Sequence, residues 1–225
     1  MKPTDKESLI KLYNERFDKF GISPETLGWN ARSRQSVRFS MFWFLMEKKK
    51  RASILDVGCG FADLARFLRK KGWKGDYCGV EINPQLARCA KENSGESDIV
   101  VRDITEDKLD CKFDYVFASG LFNRMLLSQD NASFVQEMLR AMHHHAIYLA
   151  VADLFSPFVD HQKDESYHVD IGWVCNIASK ISRRFFLSHS YMPFEFMLGL
   201  YKDDTFGETF VFNEFLAKLD HEDIP

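Results

Sequence analysis

The polar and hydrophobic positions divide the chain into a helical beginning and a longer region in which short apolar runs alternate with amphipathic stretches. Apolar residues recur at helical spacing from Ser8 to Phe20, and Gly21 interrupts them. A second helix is expected from about Ser33 to Lys50. The apolar runs that follow predict strands at 53–57, 76–82, 98–102, 113–118 and 146–152.

The stretches between these strands carry the start and stop signals of helices. Asn83 followed by Pro84 is a favourable helix beginning, with Asn as the N-cap and Pro in the first turn. Gly72 follows a basic turn, which is typical of a helix end. Near-continuous apolar strands that alternate with helices indicate a parallel sheet covered on both faces. The predicted fold class is therefore α/β, with a Rossmann-like, doubly wound and mostly parallel sheet.

The last third of the chain has a different pattern. Residues 170–182 predict a helix, the β-rich runs 184–191 and 194–201 predict an antiparallel pair at the sheet edge, and 208–219 predict a final helix. The sequence contains no linker that would separate domains. We expect one domain over 1–225, divided into a helical segment (1–50), a core (51–155) and a terminal segment (156–225).

Composition and charge exclude several classes of protein. Hydrophobic residues make up 45% of the chain and aromatic residues 14%, which indicates a globular protein with a bulky core. The net charge of −3 offers no basic surplus for a nucleic-acid backbone. No apolar run approaches the roughly 20 residues that span a bilayer, and no secretory leader is recognised. The 5 cysteines form no C-x-x-C pair, so we expect free thiols in the cytoplasm.

The strongest chemical signal is the turn Gly58-Cys59-Gly60, which follows the first predicted strand and its Asp56. Glycines at such a turn let a ligand approach the backbone, and the next helix presents its N–H groups. Glu81 ends the second strand, where a carboxylate can accept both hydroxyls of a ribose. Cys59 lies between the two glycines, and we expect its role there to be steric because its side chain is small. These features predict a site for an adenosine-type ligand.

The same turn argues against a dinucleotide. The dinucleotide fingerprint requires a third glycine at position 63, and this chain has Asp63, with no basic residue between 56 and 65. A carboxylate beside a pyrophosphate is unfavourable. S-adenosylmethionine (SAM), an adenosine without phosphates, fits better than a nicotinamide cofactor.

Four motifs in order resemble those of the class I SAM-dependent methyltransferases. Residues 56–62 resemble the first motif, and 81–84 resemble the second, which holds the ribose. Residues 100–104 resemble the segment whose Asp meets the adenine amino group, and 113–119 resemble the fourth strand. The resemblance implies a seven-stranded sheet with a reversed last strand and SAM as cofactor. It also implies the cofactor residues Asp56, Gly58, Cys59, Gly60, Glu81, Ile82, Asp103, Ile104 and Ser119. Ala62 stands where the family often has Gly, and we expect a helical φ there.

The two ends of the chain are similar to some small bacterial class I methyltransferases of uncertain substrate. The similar positions are Phe20-Gly21, Gly28-Trp29, Gln35, Arg38-Phe39 and the run 190–196. This resemblance implies that the N-terminal helices form a lid over the cofactor. Arg38 would then pair with the methionine carboxylate of SAM. The alternative, a surface position beside Phe39, is left open.

Acceptor-binding residues are expected beyond strands four and five. Asn123, just past strand four, is one candidate. The loop after strand five supplies Asp160, His161, Tyr167 and His168, and the terminal β pair supplies Tyr191 and Glu195. No catalytic residue is assigned. His143, His144 and His145 are consecutive and so point in different directions, which argues against a metal site.

The favoured function is methyl transfer from SAM to a small-molecule acceptor, for which an oxygen nucleophile fits. No Asn-Pro-Pro-Tyr type motif follows strand four, which lowers the case for amino-nitrogen methylation of nucleic acid or protein. The alternatives are a noncatalytic methyltransferase-fold binding protein and a nicotinamide-dependent oxidoreductase. The sequence leaves open the acceptor, the use of a general base and the number of subunits.

Overall fold

The computed structural model describes residues 1–29, 32–46, 50–106 and 109–218. Its centre is a seven-stranded sheet in the order β3-β2-β1-β4-β5-β7-β6. The strands are β1 (Ile54–Val57), β2 (Tyr77–Glu81), β3 (Ile99–Val101), β4 (Phe113–Ala118), β5 (Ala146–Phe155), β6 (Phe185–Ser188) and β7 (Glu195–Tyr201). All seven strands are near the positions that the apolar runs predict.

The direction of the strands agrees with the fold that the sequence predicts. Strands β1 to β5 pair in parallel, whereas β7 runs antiparallel to both of its neighbours, β5 and β6. The expected seven-stranded sheet with one reversed strand is thus confirmed. The carboxyl ends of β1, β2 and β4 meet at one edge, where an open α/β sheet binds its ligands.

Helices connect the parallel strands and precede the sheet. They are α1 (Pro3–Phe20), α2 (Arg32–Leu45), α3 (Asp63–Lys70), α4 (Pro84–Ser94), α5 (Asn131–His145), α6 (Ile171–Ile181) and α7 (Asn213–Leu216). The Asn83 side chain accepts hydrogen bonds from the backbone N–H groups of Gln85 and Leu86, so the predicted N-cap is confirmed.

Two predicted helices differ from the observed ones. Helix α2 ends at Leu45 instead of near Lys50, and residues 47–49 lie outside the described part of the chain. A long helix over 208–219 is wrong, because Phe206 and Phe212 form an antiparallel bridge and Phe210 has a φ of 57°. That turn leaves room only for the short α7, and Leu219 is not described.

Hydrophobic side chains fill both faces of the sheet. On one face, Phe134 and Met138 of α5 and Val174 of α6 pack on the strands. On the other, Phe42 of α2 and Leu64 of α3 do the same. The sheet is therefore doubly wound, as predicted.

No helix within the described residues is long and apolar enough to cross a membrane. The five cysteines are all free. The three-part division of the chain and the cytoplasmic compartment stay predictions.

Candidate active site

A cavity of about 1160 Å³, which includes solvent at its mouth, lies at the carboxyl ends of β1, β2 and β4. Nine of the ten predicted cofactor residues line it: Asp56, Gly58, Cys59, Gly60, Glu81, Ile82, Asp103, Ile104 and Ser119. Leu9 and Tyr13 of α1, with Leu27 and Trp29 of the following turn, line it from the N-terminal side. The strand ends and the N-terminal segment thus enclose one space.

The turn after β1 brings the backbone close to this space. The backbone N–H groups of Gly58 and Cys59 both donate to the carbonyl of Val80, at 2.8 and 3.1 Å. Gly58 and Gly60 have φ values of 72° and 55°, in the left-handed region that favours glycine. Ala62 also has a φ of 56°, so the expectation of a helical φ is wrong. A left-handed conformation costs a residue with a Cβ roughly 1–2 kcal/mol.

Backbone donors orient the carboxylate of Glu81. One oxygen accepts from the N–H of Gly60 at 3.0 Å, and the other accepts from the N–H of Asn83 at 2.9 Å. Burial raises the pKa of Glu81, although these N–H groups oppose the shift. Each oxygen keeps a lone pair for a further donor. The arrangement can therefore accept two hydroxyl groups on the cavity side.

Asp56 is a buried carboxyl beside the same turn. The hydroxyl of Tyr77 donates to it at 2.7 Å. Burial, together with the nearby charges of Glu81 and Asp63, raises the pKa of Asp56 to about 7, and the Tyr77 hydrogen bond opposes this shift. Burial also raises the pKa of the Cys59 thiol, which keeps it protonated and agrees with a steric role.

Asp103 lies at the far end of the cavity. It accepts hydrogen bonds from Thr105 and from the amino group of Met1, the latter at 2.8 Å. Burial alone would raise the pKa of Asp103, but the hydrogen bonds from Met1 and Thr105 outweigh it and lower the pKa. An adenine amino group at this carboxylate would have to share it with Met1 or displace Met1.

The charges of the cavity fit SAM. Among the described residues, Asp56 and Glu81 form no ion pair, so a positively charged ligand is favoured there and a pyrophosphate is not. The negative charge of Asp63 opposes a pyrophosphate less than the sequence suggests, because Arg66 forms a salt bridge with Asp63. Arg66 lies just beyond residues 56–65, the stretch without basic residues. Asp56, Glu81, Asp103 and the glycine turn would hold SAM, which supplies an electrophilic methyl group on a sulfonium.

Arg38 does not line the cavity, contrary to the predicted pairing with the cofactor carboxylate. It is only 1% exposed, so the surface alternative is also wrong. Its guanidinium forms a salt bridge with Glu195 and lies 3.7 Å from an oxygen of Asp153. Trp29 stacks on it, with 4.2 Å from the guanidinium carbon to the ring centroid. These contacts occupy the group that would have met the methionine carboxylate.

The predicted acceptor residues divide into two sets. Asp160 and His161 are exposed, and His168 bonds through Nδ1 to the carbonyl of Ser156. Asn123 and Tyr167 are joined through their backbones at 3.1 Å. None of these five lines the cavity. Their role as acceptor contacts stays a prediction without support from the geometry.

Tyr191 and Glu195 are the other set, and the structure brings them together with Arg38 and Asp153. Burial raises the pKa of Glu195 to about 7, helped by the charge of Asp153 and opposed by Arg38. No role for Asp153 is predicted from the sequence, since an aspartate at the end of β5 resembles the solvated loop residues after it. Asp153 directly follows Ala152, which pairs with Ala118 at the end of β4. This position is the signal that could have identified Asp153 as a site residue.

The His triplet ends α5. His143 bonds through Nε2 to the carbonyl of Tyr201 at 3.1 Å, and His145 bonds through Nδ1 to the carbonyl of Cys111 at 3.1 Å. Within the described ranges, no group of three His, Cys, Asp or Glu side chains is arranged to hold a metal ion.

Comparison with known sequences agrees with this site. A family described as "Methyltransferase domain" matches residues 54–145. "Putative methyltransferase Rv1506c" of Mycobacterium tuberculosis is 28% identical over 65% of this chain and 90% of its own length. The ribosomal protein L11 methyltransferase of Burkholderia mallei is 32% identical over 45% of this chain, and the match covers only 34% of that relative.

Solved structures share the fold. Magnesium protoporphyrin IX methyltransferase from Synechocystis PCC 6803 superposes with a TM-score of 0.63 at 13% identity, over 88% of this chain and 99% of that one. The plantazolicin methyltransferase BpumL also reaches 0.63, at 15% identity, over 88% and 95% of the two chains. These findings set aside the nicotinamide-dependent oxidoreductase and the noncatalytic alternative. With its motifs, strand order and relatives in agreement, the protein is an enzyme, a class I SAM-dependent methyltransferase.

Proposed function

We propose that the enzyme transfers the methyl group of SAM to an oxygen atom of a small molecule. The cover of the cavity is the observation that carries the proposal. Leu9, Tyr13, Leu27 and Trp29 come from the chain itself and enclose the space beside the strand ends. An acceptor that reacts under this cover must be small, and the apolar walls would keep water from the reacting carbon.

The names of the relatives support the same class of acceptor in part. Two structural neighbours are named for magnesium protoporphyrin IX and for plantazolicin. The ribosomal protein L11 methyltransferases are named for a protein, but this chain spans about a third of their length. After β4 the chain reads Ser119-Gly120-Leu121-Phe122-Asn123, which lacks the Asn-Pro-Pro-Tyr pattern associated with amino nitrogen.

The first experiment traces where a labelled methyl group of SAM is transferred. The protein with SAM labelled in its methyl group is incubated with a low-molecular-weight cell extract, with total protein and with total RNA. We expect label only in the low-molecular-weight fraction, in products whose new bond is an ether or an ester. Label in protein or RNA would contradict the small acceptor, and label on amines would contradict the oxygen.

The N-terminal lid belongs to the same proposal, and Asp5 is where it can be tested. Asp5 of α1 accepts hydrogen bonds from the N–H groups of Leu127, Ser128 and Gln129 and from the Ser128 hydroxyl. Asp5→Ala removes this attachment. We expect faster hydrogen exchange along α1 and faster dissociation of SAM, with the sheet still protected. The exposed Asp18→Ala of the same helix is the control.

An unchanged dissociation rate in Asp5→Ala, together with faster exchange in α1, would show that the helix is not a lid. The methyltransferase assignment would be unaffected by that result.

A further inference from the structure

Four polar side chains meet inside the protein beyond the inner wall of the cofactor cavity. Arg38 comes from α2, Asp153 from the end of β5, Glu195 from the start of β7, and Tyr191 from the loop before β7. Arg38, Asp153 and Glu195 are each 1% exposed or less, and Tyr191 is half-buried. We call these four residues the buried charge cluster.

The cluster leaves several polar atoms without a hydrogen bond. The Oδ1 of Asp153 accepts from the N–H of Gly120 at 2.8 Å, whereas its Oδ2 is 3.7 Å from the Nε of Arg38 and has no hydrogen-bond partner. The Oε1 of Glu195 and the Nη1 of Arg38 also lack one. Unsatisfied buried groups are costly and rare, so their concentration at one point indicates a ligand that completes them.

The charges of the cluster favour a hydrogen-bond donor as that ligand. One guanidinium faces two carboxyl groups, so the cluster carries an excess of acceptor oxygens. Burial raises the pKa of Asp153 although Arg38, the Ser119 hydroxyl and the N–H of Gly120 oppose it. The pKa of Glu195 is raised to about 7. Burial and the two carboxylates raise the pKa of Tyr191, which therefore stays a neutral hydroxyl.

The Trp29 side chain contacts both the buried charge cluster and the cofactor cavity. Trp29 lines the cavity and stacks on the guanidinium of Arg38. Trp29 also covers Gly120 so closely that a Cβ at that glycine would lie 2.6 Å from its ring. Ser119 and Gly120 line the cavity, and Asp153 is bonded to Gly120 directly. Trp29 and Gly120 thus connect the cluster to the wall of the cofactor cavity.

We propose that the buried charge cluster binds the hydroxyl group of the acceptor and that Asp153 takes its proton as the oxygen is methylated. The O–H bond of the acceptor breaks and its proton goes to Oδ2 of Asp153. The oxygen forms a bond to the methyl carbon, and the electrons of the carbon–sulfur bond remain on sulfur. The products are a methyl ether, S-adenosylhomocysteine and a protonated carboxyl group. This inference rests on the proposed function.

Asp153, and not Glu195, is the base because the two carboxylates have different bonding partners. Asp153 is tied to Gly120 at the wall of the cofactor cavity, and its Oδ2 has no hydrogen bond and only the 3.7 Å contact with the Nε of Arg38. Glu195 is tied to Arg38, which does not line the cofactor cavity. Arg38 and Glu195 are positioning residues, which hold the charge and the side chain of Asp153 in place.

The test compares Asp153→Asn with a matched control. Asparagine keeps the size of the side chain but cannot take the proton. The control is Asp114→Asn, because Asp114 is also a hydrogen-bonded aspartate of the sheet, bonded to Ser53 at the other end of β4. Both full-length variants are first compared with the unmodified protein for SAM affinity by calorimetry. We expect all three affinities to agree within about twofold.

Phenol serves as the probe hydroxyl for binding. It is titrated into the protein saturated with S-adenosylhomocysteine, and the side-chain carboxyl ¹³C signals are followed by NMR. We expect the Asp153 signal to shift and the Asp114 signal to stay. Asp153→Asn should weaken phenol binding by about tenfold or more, since a charge-assisted hydrogen bond is lost. No shift at Asp153 would overturn the proposal, whichever atom the enzyme methylates.

Acceptor acidity gives the second readout. Methyl transfer to phenol should fall at least about a hundredfold in Asp153→Asn, within the range that a general base contributes. Transfer to p-nitrophenol, which is largely ionised in weakly alkaline buffer, should fall far less. Equal losses for both phenols would assign Asp153 a structural role. Oxygen methylation that persists unchanged in Asp153→Asn would overturn this inference and leave the proposed function intact.

Discussion

The buried carboxyl groups at the two ends of the ligand-binding edge of the sheet have different kinds of partner. At the β1–β2 end, Asp56 and Glu81 accept hydrogen bonds from neutral donors, the Tyr77 hydroxyl and backbone N–H groups. At the β5–β7 end, Asp153 and Glu195 face the guanidinium of Arg38. The first arrangement lacks a cation of its own and suits a cationic ligand. The second already contains its cation and suits a neutral ligand with a proton to lose.

This difference separates two kinds of stability. The β1–β2 end is oriented by the backbone, so its geometry should survive the loss of one side chain. The β5–β7 end depends on one guanidinium placed between two carboxyl groups, and removal of that guanidinium leaves both carboxyl groups buried and uncompensated. Single substitutions at the two ends should therefore have unequal effects on the fold.

The largest expected effect is on stability and concerns Arg38. Arg38→Met removes the cation and leaves two buried carboxyl groups. We expect a loss of about 3–5 kcal/mol in the free energy of unfolding at weakly alkaline pH. Loss of the cation raises the pKa of both carboxyl groups, and their neutral forms tolerate burial. The loss should therefore shrink as the pH falls, as chemical denaturation at several pH values would reveal.

The double variant Arg38→Met with Glu195→Gln is the matched control for this prediction. It removes one of the uncompensated charges and should recover part of the stability. A single variant that is as stable as the unmodified protein would mean that the charges do not hold this end together.

The next largest effect is on cofactor binding and concerns Glu81. Glu81→Ala should weaken SAM binding by more than about tenfold while the fold stays intact, because charge-assisted hydrogen bonds are worth roughly 1.5–3 kcal/mol each. Calorimetry measures the affinity and circular dichroism the fold. Glu92→Ala, at an exposed position of α4, is the control. An unchanged dissociation constant would remove Glu81 from the site.

A smaller effect is expected in the pH dependence of binding. The pKa of Asp56 is raised to about 7, so the carboxyl is neutral below that pH and negative above it. A cationic ligand is attracted only to the negative form. The affinity for SAM should therefore increase severalfold as the pH rises through about 7. In Asp56→Asn this increase should disappear, and a slope that persists there would assign it to another group.

The raised pKa of Asp56 also affects the stability of the ligand-free protein. A carboxyl whose pKa is raised on folding stabilises the fold while it is protonated, and this contribution is lost as the pH rises through the folded value. The stabilisation by SAM should accordingly be larger at weakly alkaline than at weakly acidic pH.

The smallest expected effect concerns Ala62, whose φ of 56° is unfavourable for a residue with a Cβ. Ala62→Gly relieves roughly 1–2 kcal/mol of strain but gives up the burial of one methyl group, worth about 0.8 kcal/mol. A net gain of up to about 1 kcal/mol should follow. Thermal unfolding of the two proteins decides the sign, and a clear loss would show that the methyl contacts matter more.

The β1–β2 end could be predicted from the sequence because its chemistry is local. Gly58, Gly60 and Glu81 lie at fixed distances from apolar runs that identify their strands. In that setting, a glycine turn followed by a strand-end carboxylate is typical of an adenosine-binding site. The left-handed φ of Ala62 could not be predicted, since alanine has no preference for that region.

At the β5–β7 end, Arg38, Tyr191 and Glu195 are named as candidates from the sequence, but their grouping around Asp153 could not be predicted, because it is assembled from distant segments. Arg38 and Glu195 are 157 residues apart in the sequence. Each is an ordinary charged residue in its own segment, and only the packing of α2 on the sheet brings them together. Candidates chosen for their place in a loop, such as Asp160 and His161, are exposed instead.

The insertion of β7 between β5 and β6 also affects the order in which the protein forms. Strands β1 to β5 all precede β7 in the chain, so they can pair with one another before β7 has left the ribosome. The salt bridge of Arg38 must wait until its partner on β7 has been synthesised. Until then the guanidinium has only Asp153 to meet it, so the last strand to join the sheet completes both the hydrogen-bonded edge and the charge balance.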